Sequence, residues 1–265
     1  MIDSLQIIVL SLVQGVTEFL PVSSSAHLIL VPALLGWSDQ GLAFDIAVHV
    51  GTLIAVLAYF RKELQKMMVD FCASPTKPLT SEARLMWSIG FATIPVGLCG
   101  LAVRNFHEHF FRSTSVIAVA TIGFGLMLWG ADKWSKHNRA VKDIHWCDVL
   151  IIGLFQILSL IPGTSRSGIT LTGGLFRNLT REAAARFSFL MSIPVILLAA
   201  SLEVVKLIKA PISVDWYSLG LGMCLSAISG YVCIHVFINL LNKIGVLPFV
   251  LYRLALGVFL LIYFY

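Results

Sequence analysis

The sequence predicts an all-α integral membrane protein, with six transmembrane helices and two re-entrant helical hairpins in an inverted-topology repeat. Three observations carry this expectation. Charged residues make up 12% of the 265 and hydrophobic residues 58%, and the mean hydropathy is +0.89. A soluble domain carries about 25% charge, and a disordered chain combines low hydrophobicity with high charge. The apolar runs are continuous, whereas strands of a membrane barrel alternate apolar and polar residues. Finally, two apolar segments stop at a proline and pass into short polar runs.

In chain order, the first apolar segment, 5–20, meets Pro21 and then V-S-S-S-A-H, and a short apolar run follows at 28–35. The second such segment, 149–161, meets Pro162 and then G-T-S-R-S-G, with a short apolar run at 169–176. Proline removes a helical hydrogen bond, and small polar residues after it can satisfy the freed backbone groups. A short helix, a polar break and a short helix back is the pattern of a re-entrant hairpin. Six other stretches approach the roughly 20 residues that a crossing helix needs. They lie near 44–60, 84–102, 116–131, 183–205, 217–241 and 246–264. The amphipathic run 61–71 suits the surface of the cytoplasmic leaflet.

The two hairpins open an internal repeat. V-Q-G-V-T-E-F-L-P-V-S-S-S-A-H resembles F-Q-I-L-S-L-I-P-G-T-S-R-S-G-I, and each hairpin precedes three crossings. One polytopic domain, 1–265, then holds a first repeat at about 1–131 and a second at about 148–265. An odd number of crossings per repeat turns the second upside down and sets broken helices face to face near the midplane.

Charge tests the layout. With six crossings, loops 61–84, 132–148, 177–186 and 242–245 share one side and carry 13 Lys or Arg. The termini and loops 103–115 and 206–216 carry 4, with Arg166 and Arg253 set aside as intramembrane. The positive-inside rule makes the first side cytoplasmic. Counting the hairpins as full crossings would place 61–84 opposite 177–186 and blur the bias. The net charge of +5 therefore speaks to topology and not to nucleic acid. Five scattered cysteines read as packing or loop thiols. The start, M-I-D-S-L, lacks a basic segment, so no cleaved signal peptide is expected.

The chemistry concentrates at the two breaks. Glu18 is an acid at membrane depth, which costs about 2.5–3.5 kcal/mol on insertion scales and so calls for a cavity or a partner. Gln14 and Ser11 share its helical face. Such a stripe could also serve only to join helices. In the run 22–27, His27 lies one turn after Ser23 and Ser24, so a hydroxyl could meet an imidazole acting as base. A serine-rich cap beside a buried histidine is the simpler alternative. The second break has Gly163, Ser165, Arg166, Ser167 and Thr170 at the start of a short apolar run. Helix N-termini attract anions, and arginine offers a planar fork for phosphate oxygens. Arg166 could instead be a structural partner of Glu18. Taken together, the set suits phosphoryl transfer on a lipid-linked phosphate, with a carboxylate able to hold Mg²⁺ or Ca²⁺. Elsewhere, His49 reads as packed or water-facing. Glu203 and Lys206 read as snorkelling near a helix end. His107, Glu108 and His109 fall in an outward loop.

E-F-L-P-V-S-S-S-A-H at 18–27 and P-G-T-S-R-S-G at 162–168 resemble the two signature motifs of the undecaprenyl-pyrophosphate phosphatase family, the bacitracin-resistance proteins. The likeness runs the length of the chain and includes L-P-F-V-L-Y-R at 247–253. It implies a hydrolase of the bacterial inner membrane that removes the terminal phosphate of undecaprenyl diphosphate. The product would be the monophosphate carrier of peptidoglycan synthesis. It also implies a site open to the periplasm and a divalent cation, Mg²⁺ or Ca²⁺. On this likeness Ser24 is the expected nucleophile, His27 its base and Arg166 the phosphate clamp. Ser23, Ser25, Ser165, Ser167, Thr170 and Gly163 are candidates to bind substrate. Glu18 would bind metal or orient His27. Gln14 stands where the family often has glutamate, which keeps an oxygen ligand but loses a charge. Water or His27 as nucleophile stays open, as do a lipid-phosphate carrier built on the same repeat and a homodimer.

Overall fold

The structure is a computed structural model that describes residues 3–74, 76, 78–103, 114–209 and 215–263, the side chains of 206–209 excepted. Among these residues it is helical, with one isolated β-bridge between Arg139 and Leu179. The helices are α1 (Ser4–Phe19), α2 (Ser24–Leu35), α3 (Leu42–Tyr59), α4 (Arg61–Ala73), α5 (Ser81–Val103) and α6 (Thr114–Trp134). After them come α7 (Trp146–Ile157), α8 (Arg166–Phe176), α9 (Arg181–Lys209), α10 (Trp216–Ile244) and α11 (Leu247–Tyr263). Five of them, α3, α5, α6, α9 and α10, are long and apolar enough to cross a membrane. The expected sixth crossing, 246–264, corresponds to α11, a helix of 17 residues. Much of the expected outward loops 103–115 and 206–216 lies outside the described residues, including His107, Glu108 and His109.

Both proline breaks form where the sequence places them. Leu20, ahead of Pro21, leaves the helix for an extended conformation, as a residue before proline must. Helix resumes at Ser24, after Ser23 at φ 72°. In the second break a 3₁₀ turn, Leu158–Leu160, precedes Pro162, and Ser165 at φ 70° caps α8. The Ser165 hydroxyl accepts the Gly168 N–H at 3.1 Å. Left-handed serines are uncommon, and the same conformation recurs at both breaks. α2 ends at Gly36, whose positive φ forms a left-handed cap.

α8 is buried along nearly its whole length, from Ser167 to Leu175. α2 keeps Ile29, Leu34 and Leu35 exposed. The helix pairings are reciprocal, with α1 packed on α10 and α7 packed on α5. Small residues allow the close approach, as is usual where apolar surface gives helices no reason to separate from lipid. Gly15 and Gly51 both face α10, where Ser226 donates to the Val48 carbonyl at 2.9 Å.

The basic loops meet at one end. Arg186 pairs with Glu63 at 2.7 Å, and Arg181 grips both oxygens of Asp132. The fully buried Asp148 holds Arg139 and Arg177. Loops 61–84, 132–148 and 177–186 thus lie together, as the charge count requires.

A Cβ at Gly51 would lie 2.3 Å from the Met223 carbonyl oxygen, whereas one at Gly90 meets nothing within 4 Å. Gly51→Ala is therefore expected to destabilise the protein by about 1–3 kcal/mol, the usual cost of overpacking. Gly90→Ala should be neutral or mildly stabilising. Thermal unfolding of both variants in detergent measures the difference.

Candidate active site

The two breaks converge on a cavity of about 400 Å³. Glu18, Ser23, Ser24, Ser25, Ser165 and Arg166 line its polar end, joined by Asp45 and His49 from α3 and Glu203 from α9. Leu42, Ile46, Val96, Leu160 and Ile196 form part of its apolar wall.

At its centre is an ion pair. Arg166 Nη2 donates to Glu18 Oε1 at 2.9 Å, with both side chains about nine-tenths buried. Arg166 reaches this position from the first residue of α8, and its Nη1 donates to the Ser188 carbonyl at 2.9 Å. The other carboxylate oxygen, Oε2, accepts the Ser24 hydroxyl at 2.7 Å and the Gln14 amide at 3.0 Å. His49 Nε2 lies 3.8 Å from the same oxygen. The ring nitrogen Nδ1 of His49 donates to the Asp45 carbonyl at 2.7 Å, which directs Nε2 toward the cavity. A second tie between the breaks is Ser167 Oγ, which donates to the Leu20 carbonyl at 2.8 Å.

Several expected contacts differ. His27 does not meet Ser24. Its Nδ1 donates to the Ser23 carbonyl, four residues back, at 2.7 Å, and its Nε2 accepts the Tyr252 hydroxyl at 2.6 Å. The ring stacks on Tyr252 and lines a separate apolar groove with Val16, Leu20 and Phe249. The bond to its own helix backbone draws the imidazole away from the chamber, while Ser24 turns back across the break to Glu18. Glu18, not His27, is the group within reach of the Ser24 proton.

Gly163 also lies outside the cavity. At φ 89° it packs so tightly on α6 that a Cβ would sit 2.4 Å from the Ile117 carbonyl oxygen. Ser167 and Thr170 support the site without lining it. Thr170 bonds to the Arg166 carbonyl at 2.8 Å and to the Ser188 hydroxyl at 2.7 Å.

The expected metal pair, Gln14 and Glu18, does not present two oxygens to a common point, because Gln14 gives its N–H to Glu18. Both Glu18 oxygens are already taken by donors, and Gln14 Oε1 is buried with no partner among the described residues. Among the described residues, no three His, Cys, Asp or Glu side chains cluster to hold a metal. These side chains do not fit a protein-built cation cage.

His49, Asp45 and Glu203 are the cavity residues that sequence reasoning undervalued. A signal existed for the first two, since D-I-A-V-H places an acid and a histidine one helical turn apart. Glu203 faces the cavity instead of snorkelling away from it.

Fold and site together define a polytopic helical membrane protein whose polar chamber is built from two interrupted helices. The family described as bacitracin resistance protein BacA matches residues 7–259, and the chain belongs to it. A protein of Stutzerimonas stutzeri named undecaprenyl-diphosphatase 2 is 55% identical over 99% of this chain and 98% of its own length. Proteins named undecaprenyl-diphosphatase from Teredinibacter turnerae and Thioalkalivibrio sulfidiphilus are 53% and 52% identical. These two alignments cover 98% and 99% of this chain, and 99% and 100% of the relatives.

Ser24 lines the polar cavity and His27 the separate apolar groove, so thiol chemistry distinguishes the two positions. In a background with the native cysteines replaced by serine, Ser24→Cys should react with a water-soluble maleimide at least tenfold faster than His27→Cys. Equal rates would place both residues in one chamber.

Proposed function

We propose that this chain is a membrane diphosphatase that converts undecaprenyl diphosphate to undecaprenyl phosphate and inorganic phosphate. By withdrawing the diphosphate it would recycle the carrier for peptidoglycan synthesis and confer resistance to bacitracin. The observation that carries the reading is the Ser24–Glu18–Arg166 chain, which links a hydroxyl, a carboxylate and a guanidinium across both breaks beside an apolar wall. The names of the relatives point the same way, and none of the relatives described above is named as a carrier.

In this scheme the isoprenoid lies along the apolar wall and the terminal phosphate sits between Ser24 and Arg166. Ser24 Oγ attacks the terminal phosphorus while Glu18 takes its proton. The bond from that phosphorus to the bridging oxygen breaks, and lipid monophosphate leaves. Water then cleaves the Ser24 phosphoester and releases phosphate. Arg166 and the N-terminus of α8 stabilise charge on the transferring group, the main demand of this chemistry. The water-facing Nε2 of His49 offers the proton on Glu18 a route to solvent. Asp45, Glu18 and Glu203 add carboxylates to the cavity. The diphosphate therefore enters with its charge compensated by cations from solution, and no step is assigned to a metal held by Gln14 and Glu18.

The same reading includes six crossings, two re-entrant hairpins and the inverted repeat, supported by the reciprocal pairings of α1 with α10 and α7 with α5. It also places the chain in the bacterial inner membrane with the cavity facing the periplasm. Support comes from direction along the helices. α9 runs from Arg181 in the basic cluster to Glu203 at the cavity, about 33 Å at the helical rise. α3 runs the other way, from Leu42 at the cavity to the basic loop after Tyr59. By the positive-inside rule the basic end is cytoplasmic.

Purified protein in detergent should release phosphate from undecaprenyl diphosphate. Ser24→Ala and Glu18→Gln should each lose at least 10²-fold in kcat, within the range a nucleophile or base supplies. His27→Asn should lose less than tenfold. A phosphoserine trapped by acid quench at Ser24 would support the scheme. Full turnover by Ser24→Ala would end it.

A further inference from the structure

Arg253 on α11 is fully buried, yet among the described residues no carboxylate accepts any of its hydrogen bonds. Its guanidinium donates instead to four backbone carbonyls. Nε reaches Thr121 on α6 at 3.0 Å, and Nη1 reaches Pro21 at 3.2 Å and Thr164 at 2.8 Å. Nη2 reaches Gly163 at 3.0 Å. Three of these carbonyls belong to the two breaks. They are groups that an interrupted helix leaves without a partner, and inside a membrane such groups must be satisfied by protein.

The placement matters for the site. Pro21 stands two residues before Ser23, and Thr164 immediately precedes Ser165. Those two serines hold positive φ, and each begins a short helix that carries a cavity residue, Ser24 or Arg166. Strained backbone of this kind persists where its surroundings over-determine it. A planar fork of five N–H donors is suited to that task, whereas an ammonium group is not. The surroundings leave room for the fork. A Cβ on Gly168 would come within 3.1 Å of Nη1, and one on Gly125 within 3.3 Å of Nε.

We propose that Arg253 is a positioning residue that clamps both breaks to α6 and α11, and so fixes Ser24 and Arg166 on opposite sides of Glu18. Its effect on turnover rests on the diphosphatase reading, whereas its effect on backbone protection does not.

Arg253→Lys keeps a positive charge but offers three donors from a single nitrogen where four carbonyls are held by a planar fork. Amide hydrogen exchange by mass spectrometry on the full-length protein in detergent reads the clamp directly. Exchange in segments 20–27 and 162–168 should rise at least tenfold together, while α9 and α10 keep their protection. With undecaprenyl diphosphate, kcat should fall at least tenfold and KM stay within threefold. Arg253→Met, where it folds, should fall further, so that lysine counts as partial rescue.

Unchanged exchange in either segment, uniform loss of protection across every helix, or wild-type kcat in a variant with loosened breaks would overturn the proposal. Loosened breaks in a protein whose wild type releases no phosphate would uphold the clamp and reject the diphosphatase.

Discussion

One buried ion pair organises the centre of this protein. Glu18 and Arg166 are 148 residues apart in sequence, on separate interrupted helices, and meet at 2.9 Å. Neither charge is tolerable alone at membrane depth. Removing one partner of such a pair typically costs about 3–5 kcal/mol, because the other is left buried and uncompensated. The pair therefore requires the two breaks to stay together, and it draws Ser24, Gln14 and His49 to the remaining oxygen of Glu18. Charge that would oppose membrane insertion becomes the contact that gathers these side chains around one carboxylate.

The breaks create a second demand, which is met by backbone chemistry. Proline frees carbonyls that lipid cannot satisfy. Ser167 answers one across the junction, and Arg253 answers several. Close helix packing through Gly15, Gly51 and Ser226 sets the frame around them. At the far end, Arg186 with Glu63 and Arg181 with Asp132 tie the basic loops into one cluster. The result is a frame fixed at the basic end and an open chamber toward the other.

Much of this was legible in the sequence, for identifiable reasons. Continuous apolar runs and Pro21 and Pro162 mark helices and breaks because both act locally. Glu18 and Arg166 stand out because an intramembrane charge is costly wherever it lies. The direction of His27 was hidden. Spacing places it on the face of Ser23 and Ser24, but rotamer and partner decide where a ring points. Its partner, Tyr252, lies 225 residues away. Ser24 turning back to Glu18 depends on the left-handed φ of Ser23, which no short-range pattern announces. Asp45, His49 and Glu203 come from helices whose arrival at the cavity is a tertiary fact. Arg253 was visible as an intramembrane charge, but its carbonyl partners were not.

A double-mutant cycle on Glu18 and Arg166 measures how strongly the two side chains are coupled. Glu18→Gln, Arg166→Gln and the combined variant would be compared by reversible denaturation in detergent. Direct coupling predicts that each single variant is destabilised strongly and that the double variant loses less than their sum by at least 2 kcal/mol, within the range for residues in contact. Losses that add to within about 0.5 kcal/mol, as they do for independent sites, would contradict it.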